Sequence, residues 1–329
     1  MIHNFTVGIT GTGSLIGQAI IKSVKQSNYK ELINMIGFDY FQDTVGAFWC
    51  QKNYILPDIY KNNNQIQLWV DFIINKLVEN DIKILFVGVD FELPLFAKYK
   101  DQIESRTGTI IMVSSEEVIG IANDKFFTYK FLKENNLNCP YSFLPEELNV
   151  NELEYPLIVK PRNGARSKGV SKVSNKTELE LAIKSVDLPI IQECVGNEND
   201  EFTCGTLYLK NELKAMIILN RSLKEGNTFI SHFRKDYPAA ISEYLKNVCN
   251  ILKPNGACNF QLRIDKNGIP KIFEINARHS GTTYIRSLFG YKEVEYIIGY
   301  LLFNDEKKFE LREGTVVRYY DEFFVPKDI

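Results

Sequence analysis

Histidine is scarce, with three in 329 residues, which argues against a His-rich metal centre. Six cysteines are scattered (Cys50, Cys139, Cys194, Cys204, Cys249 and Cys258) and none forms a C-x-x-C pair. They read as small apolar residues of a reducing compartment rather than as disulfides or zinc ligands. No apolar run approaches the roughly 18 residues that would span a bilayer. Met1–Thr10 lacks a basic stretch followed by an apolar one, so no secretory signal is expected there. The net charge is only −2, and lysines and acids occur singly rather than in runs, so no global field favours nucleic acid or an anionic membrane. The expectation is a cytoplasmic protein with neither nucleic acid nor membrane as partner. What is present, 45% hydrophobic and 24% charged residues, suits a globular enzyme of two or three domains.

The first third alternates short apolar runs with amphipathic segments. Strands are predicted at Phe5–Thr10, Leu32–Phe38, Ile82–Val89 and Thr109–Val113, and helices at Leu15–Lys25, Ile66–Leu77 and Leu93–Ile103. That β-α-β order with near-continuous apolar strands predicts a parallel sheet covered on both faces. After a helix at Asp124–Asn135 the pattern changes. Strands at Leu157–Lys160 and Val170–Val173 flank a glycine-bounded loop, and a helix at Glu178–Val186 leads to a strand at Pro189–Val195. Long β runs at Phe202–Lys210 and Leu213–Asn220 form a hairpin, and a helix at Ala239–Leu252 precedes paired strands at Cys258–Ile264 and Lys271–Ala277. The later part is therefore mixed antiparallel β and α, and the division falls near residue 123.

Two segments compete for a nucleotide. Gly11-Thr12-Gly13-Ser14-Leu15-Ile16-Gly17 joins the first strand to the first helix, and Asp39 ends the second strand where a ribose-binding acid would stand. This would be the site of an NAD(P)-dependent dehydrogenase or epimerase. The spacing is looser than the dinucleotide fingerprint, however, and a tight β-α junction needs glycine in any case. The second segment is Lys160-Pro161-Arg162-Asn163-Gly164-Ala165-Arg166-Ser167-Lys168-Gly169-Val170. A lysine ending an apolar strand, then a basic loop bounded by glycines, offers N–H groups and cations to a triphosphate. It is not a Walker A sequence, whose lysine follows the second glycine.

The downstream strands decide between them. Glu274, Asn276 and Arg278 are spaced by two, and Asn259 and Gln261 lie on the preceding strand across a hairpin. Five polar side chains on one face of otherwise apolar strands need a purpose, while Phe273, Ile275 and Ala277 bury the other side. A carboxylate beside amide oxygens is a hard donor set for Mg²⁺ carried on phosphates.

Taken together, these segments resemble the ATP-grasp superfamily, and most the carbamoyl phosphate synthetase large subunit and its short stand-alone relatives, among them the ligase of pyrrolysine biosynthesis. The resemblance implies an α/β, Rossmann-like pre-ATP-grasp domain over 1–122 that forms a wall of the substrate cleft without binding a dinucleotide. An α+β ATP-grasp domain of two subdomains would follow over 123–329, with a small lid subdomain at about 138–194. It also implies roles. Lys125, after Asn123-Asp124, and Lys160 would reach the ATP phosphates, and Gly164, Ala165, Arg166, Ser167, Lys168 and Gly169 would form a mobile phosphate lid. Gln192, Glu193, Cys194 and Val195 would line adenine, with Phe273 among the nucleotide contacts, and Glu201, in preference to Glu198, would hold the ribose. Gln261, Glu274 and Asn276 would be the magnesium ligands, and Arg278 would steady the transferred phosphoryl group. Many ATP-grasp enzymes carry an acid where Gln261 stands, which bears on whether a second Mg²⁺ binds.

The implied chemistry is ATP- and Mg²⁺-dependent (Mn²⁺ as a substitute) activation of a carboxylate as an acyl phosphate and its transfer to an amine or a thiol, on small, amino-acid-like molecules. Lys125, Lys160 and Arg278 would offset phosphate charge. An ATP-grasp kinase releasing a phosphorylated product is the alternative from the same site. Asp90 and Glu92, at the carboxyl end of a parallel strand, are candidates for a substrate ammonium group, with His232, Arg234, His279 and Ser280 as further candidate contacts. A homodimer is the expected assembly.

Overall fold

The structure is a computed structural model and describes residues 4–59, 65–148, 153–164, 167–197 and 200–326. The chain forms two compact units, Met1–Glu116 with Arg278–Arg312 and Val316–Ile329, and Glu117–Ala277 with Glu313–Thr315. Among the described residues no helix is long and apolar enough to cross a membrane.

In the first unit, β1 (Phe5–Thr10), α1 (Leu15–Lys25), β2 (Ile33–Asp39), α2 (Val45–Phe48), β3 (Lys52–Ile55), α3 (Ile66–Glu79), β4 (Ile82–Phe86), α4 (Leu93–Thr107) and β5 (Ile110–Met112) follow in order. The strands form a five-stranded sheet in the order β3-β2-β1-β4-β5 with parallel pairs throughout. Val7, Ile9, Phe38, Ile84 and Phe86 are completely buried, as a sheet covered on both faces requires. Ser14 caps α1, its Oγ accepting from the Gly17 N–H at 2.9 Å. The short edge strand β3, with every residue partly or fully exposed, carries no apolar run, which is why the sequence pattern misses it.

In the second unit, α5 (Glu116–Asn123), α6 (Lys125–Glu134), β6 (Ser142–Phe143), β7 (Leu157–Pro161), β8 (Ser171–Val173), α7 (Lys176–Ser185) and β9 (Pro189–Glu193) come first. Then follow β10 (Glu201–Leu209), β11 (Glu212–Lys224), β12 (Asn227–Phe233), α8 (Ala239–Leu252), β13 (Gly256–Ile264), β14 (Pro270–Asn276) and β15 (Gly314–Val317). A four-stranded sheet has the order β6-β9-β7-β8, and a six-stranded one β14-β13-β10-β11-β12-β15. The mixed α/β class expected from the sequence is what the chain adopts. Lys210 and Asn211, both at positive φ (48° and 62°), make the tight β10–β11 turn. Helix α8 buries Ile241, Tyr244, Leu245, Val248, Cys249 and Leu252, an apolar stripe at helical spacing.

Residues 278–312, expected with the C-terminal domain, pack instead in the first unit. Two helices, α9 (Thr283–Leu288) and α10 (Glu293–Leu302), lie against α1. Phe303 stacks on Tyr29 at 4.6 Å, and Asn28 donates to the Glu295 carboxylate at 2.8 Å. These contacts join segments more than 260 residues apart in sequence, which local periodicity does not register.

The glycine turn of the first unit serves backbone packing. A Cβ on Gly17 would lie 2.1 Å from the Gly11 carbonyl oxygen, and one on Gly46 2.0 Å from that of Thr12. Gly11 itself has φ +57°, which favours glycine. Asp39 is buried and points into this turn rather than outward to a ribose. Its Oδ2 accepts from the Gly13 N–H at 2.7 Å and from Thr12 Oγ1 at 3.0 Å, and its Oδ1 from the N–H groups of Tyr40 and Phe41.

Glu92, expected as a substrate contact, is fully buried. It accepts from the hydroxyls of Thr10 and Tyr40, the latter at 2.8 Å, while Trp69 Nε1 donates to Tyr40 at 3.1 Å. A strand-end carboxylate is equally able to tie neighbouring strands together, and here it does. Burial, reinforced by nearby Asp39, pushes its pKa from 4.5 up to about 7. The folded chain therefore holds a proton that the unfolded chain has released between pH 4.5 and 7, and stability falls as pH rises through that window. The shift corresponds to about 3 kcal/mol. Glu92→Gln is expected to flatten the fall in unfolding midpoint between pH 5 and 7.5. A wild-type slope that survives the substitution unchanged would remove Glu92 as its source.

Candidate functional site

The strands of the six-stranded sheet set the site's geometry. Gln261 pairs with Glu274 and Asn259 with Asn276, so three amides and a carboxylate fall in alternate rungs of β13 and β14, on either side of the Phe260–Ile275 pair. The register then slips, Leu262 pairing with Ile272, and Phe273 is the extra residue of a bulge. The bulge lets Ile272 and Ile275 both enter the core while Phe273 and Glu274 between them stay partly exposed. Strict alternation had assigned Phe273 to the same side as Ile275, and the bulge is what overturns this.

Three strands contribute an ionic row beside these rungs. Glu201 on β10 is buried between Arg221 on β11 and Arg263 on β13. Its Oε1 accepts from Nε and Nη2 of Arg221 at 3.0 and 2.7 Å, and its Oε2 from Nε and Nη2 of Arg263 at 3.2 and 2.7 Å. Burial alone would raise the Glu201 pKa, but the two guanidinium groups outweigh it and hold it below the ordinary value. Four N–H donors use the four lone-pair sites of a carboxylate, so Glu201 is committed to the arginines rather than open to a ribose. Arg221 Nη2 also donates to Gln261 Oε1 at 2.8 Å. Gln261 Nε2 and Asn276 Nδ2 both point at Glu274 Oε1, at 3.4 and 3.0 Å. Oε2 of Glu274 accepts no hydrogen bond among the described residues. Sequence reading missed both arginines: Arg263 stands on the strand of Asn259 and Gln261, and Arg221 lies just past the expected strand end at Asn220, within a strand that runs on to Lys224.

In the same unit, Lys160 on β7 is buried, with its ammonium 2.8 Å from Gln192 Oε1 and 5.1 Å from the centre of the Phe273 ring. Gln192, on β9, is oriented by donating to Ser142 Oγ at 2.8 Å. Burial, then the charge of Lys125, pushes the Lys160 pKa from 10.5 down to about 7. Lys125 opens α6 behind its cap Asp124 and donates to the Gly164 carbonyl at 3.2 Å, so it reaches the start of the glycine loop. Asp124 is held by Arg162, Nη2 to Oδ2 at 2.6 Å. Gly164, Ser167, Lys168 and Gly169 are exposed, with positive φ at Gly164, Ser167 and Gly169 (142°, 52° and 71°). Ala165, Arg166 and the alternative Glu198 lie outside the described residues. The Glu193 side chain is engaged by Lys271 at 2.8 Å and by the Tyr141 N–H. Cys194 and Val195 lie just past the end of β9, outside the ladder.

The other expected residues fall elsewhere. Arg278, in the first unit, pairs with Asp90, Nε to Oδ1 at 2.6 Å, so two candidates are brought together there. His279 is buried against Phe86, with Nδ1 3.2 Å from Glu293 Oε1. Arg286 and Thr283 donate to the same oxygen at 2.8 and 2.6 Å. Burial would raise the Glu293 pKa, but Arg286 and His279 pull it down to about 2. His279 therefore supports the fold instead of facing a substrate. Ser280 is likewise buried and committed to the turn before α9, its Oγ 2.7 Å from Thr282 Oγ1. His232, on β12, meets Thr315 Oγ1 at 2.9 Å, and Arg234 pairs in solvent with Asp236 at 2.8 Å.

A buried lysine facing a carboxylate-and-amide strand face, with a basic glycine loop between β7 and β8, is the arrangement of a nucleotide-dependent α+β domain. Residues 122–282 match the ATP-grasp domain family, so that stretch of the chain is an ATP-grasp domain. The chain is 28% identical over 195 residues to the D-alanine–D-alanine ligase of Thermosipho africanus, covering 49% of this chain and 51% of that one. It is 29% identical over 179 residues to D-alanine–D-alanine ligase A of Bacillus cereus, covering 47% and 57%. The chain thus spans about half the length of the curated relatives it matches. Its fold is similar to that of the L-amino acid ligase from Bacillus licheniformis, with TM-score 0.71, 18% identity and coverage of 94% and 78%. It is also similar to N5-carboxyaminoimidazole ribonucleotide synthetase in its ADP complex, with TM-score 0.74, 14% identity and coverage of 94% and 80%.

Lys160 yields a test that needs no ligand. Because its folded pKa lies below that of the unfolded chain, stability rises with pH from about 7 to 10.5. Lys160→Met removes that penalty but orphans Gln192 Oε1, which costs about 1–3 kcal/mol. The variant should therefore be more stable than wild type by roughly 2 kcal/mol at pH 6 and less stable at pH 10. Denaturant melts at both pH values check it, and equal effects at the two would show that Lys160 is not held in this way.

Proposed function

We propose that this protein is an ATP- and Mg²⁺-dependent ligase that joins a small carboxylate to an amine through an acyl phosphate, releasing ADP and phosphate. The observation that carries it is the meeting, within one ATP-grasp domain, of the buried Lys160 over Phe273 with the Glu274–Asn276 face. Its relatives named as D-alanine–D-alanine ligases support an amino-acid-like substrate.

In this reading Lys160, and Lys125 beside the glycine loop, offset phosphate charge. An incoming anion also offsets the cost of Lys160's burial, so the site favours an occupant of that charge. Glu274 and Asn276 fit Mg²⁺ by donor chemistry, since one carboxylate oxygen is left without a hydrogen bond beside an amide. The ion would supply charge neutralisation to the phosphates. The substrate carboxylate attacks the γ-phosphorus, and the bond to the β-bridging oxygen breaks, releasing ADP. The amine then attacks the acyl carbon, the carbon–oxygen bond to phosphate breaks, and the amine nitrogen gives up its proton. The glycine loop, exposed at Gly164 and Gly169, shields the acyl phosphate from water.

With pooled amino acids, ATP and Mg²⁺, wild type should form ADP and phosphate only when a carboxylate–amine pair is present. Glu274→Ala should lower that turnover by about 100-fold or more. ADP formed with one substrate that keeps the phosphate would make the protein a kinase, and AMP as product would exclude the acyl-phosphate route.

A further inference from the structure

Arg221 donates to Glu201, Gln261 and Thr228, and one of its nitrogens reaches the first two at once. Its Nη2 lies 2.7 Å from Glu201 Oε1 and 2.8 Å from Gln261 Oε1, and its side chain is only 9% exposed. Glu201 anchors the guanidinium from one side while Arg263 anchors Glu201 from the other, so Arg221 has little room to turn. The amide of Gln261 consequently has one satisfactory orientation. With its oxygen toward Arg221, its nitrogen faces Glu274 Oε1 at 3.4 Å and donor meets acceptor at both ends. Reversed, NH₂ would face the guanidinium N–H and the carbonyl oxygen would face a carboxylate, two repulsive contacts for two attractive ones.

We infer that Arg221 is a positioning residue that turns the Gln261 oxygen away from the metal site, leaving Glu274 and Asn276 as the only side chains that meet the cation on the nucleotide. This rests on the ATP-dependent reading above and departs from the three-ligand set expected from the sequence. Gln261 becomes a long-range donor to Glu274, at 3.4 Å, while Asn276 at 3.0 Å holds that carboxylate without it. Its nitrogen and that of Asn276 converge on Oε1, which leaves Oε2 to face the ion. Most of the protein's hold on the metal is then one carboxylate.

The test uses Mn²⁺ as probe on the full chain, with a saturating non-hydrolysable ATP analogue, and free Mn²⁺ is counted by its electron paramagnetic resonance signal. One Mn²⁺ per protein beyond what the analogue alone retains is expected. Gln261→Ala should change its Kd by no more than about threefold, whereas Glu274→Gln should weaken it by about tenfold or more. Releasing the amide with Arg221→Met should make Gln261 matter. In that background Gln261→Ala is expected to cost about tenfold. A purely structural role for Arg221 would leave Gln261→Ala equally mild in both backgrounds and would overturn the inference. So would two bound Mn²⁺ in wild type, one of which Gln261→Ala removes. If Arg221→Met fails to fold, the wild-type and Gln261→Ala pair decides alone. Absence of any analogue-dependent Mn²⁺ binding, or indifference to Glu274→Gln, sinks the ATP reading itself and this inference with it.

Discussion

A lysine ammonium held out of water is the constraint on which the rest of the C-terminal unit depends. Lys160 has one hydrogen-bond acceptor, Gln192, and one aromatic face, Phe273. Neither is a counter-ion, and the acids that act on it, Glu274 and Glu201, do so at a distance. Removing a cation from water without a paired anion is costly enough to shift its pKa by several units. Proteins keep such groups where the missing charge is supplied by a ligand. The bulge at Phe273, the amide of Gln192 and its support from Ser142 all follow from having to seat that ammonium.

The neighbouring ionic row solves the opposite problem. Glu201 is buried too, but two arginines from adjacent strands satisfy all its lone pairs, and its pKa falls although burial pushes it upward. A buried carboxylate with partners on both sides contributes little net stability but fixes geometry, because breaking either contact strands a charge. That fixity extends through Arg221 to Gln261 and on to Glu274. One unit thus holds a deficit of negative charge at Lys160 beside a closed, self-satisfied network at Glu201. Only the first invites an anion.

Much of this was legible in the sequence, and what was not has identifiable causes. The parallel sheet of the first unit showed in its apolar runs, and a polar face shared by Gln261 and Glu274 showed in the spacing of two along hairpin strands, though their register did not. The bulge did not show, because one extra residue changes register without changing composition. Nor did the role of Glu92, whose place after an apolar strand is the same whether it faces a ligand or ties Thr10 to Tyr40. His279 and Ser280 follow shortly after β14 in sequence, yet Glu293 and Thr282 hold them inside the first unit.

The two glycine-rich segments show why composition alone misleads. At Gly11, Gly17, Gly46 and Gly88 an added Cβ would stand 2.0–2.2 Å from another atom, so these glycines are required by close packing. Three of the four conflicts are with backbone carbonyl oxygens, and the turn's Gly13 N–H is taken by Asp39. A phosphate would find that junction already full. At Gly164 the nearest atom would be an ordinary 3.8 Å away, so space does not demand glycine there, while at Gly169 the Pro161 ring would stand a tight 3.3 Å away. Backbone angle favours glycine at both, since φ is +142° and +71°, and both residues are exposed. The described glycines of the second segment are thus set mainly by backbone conformation, and those of the first by close contact.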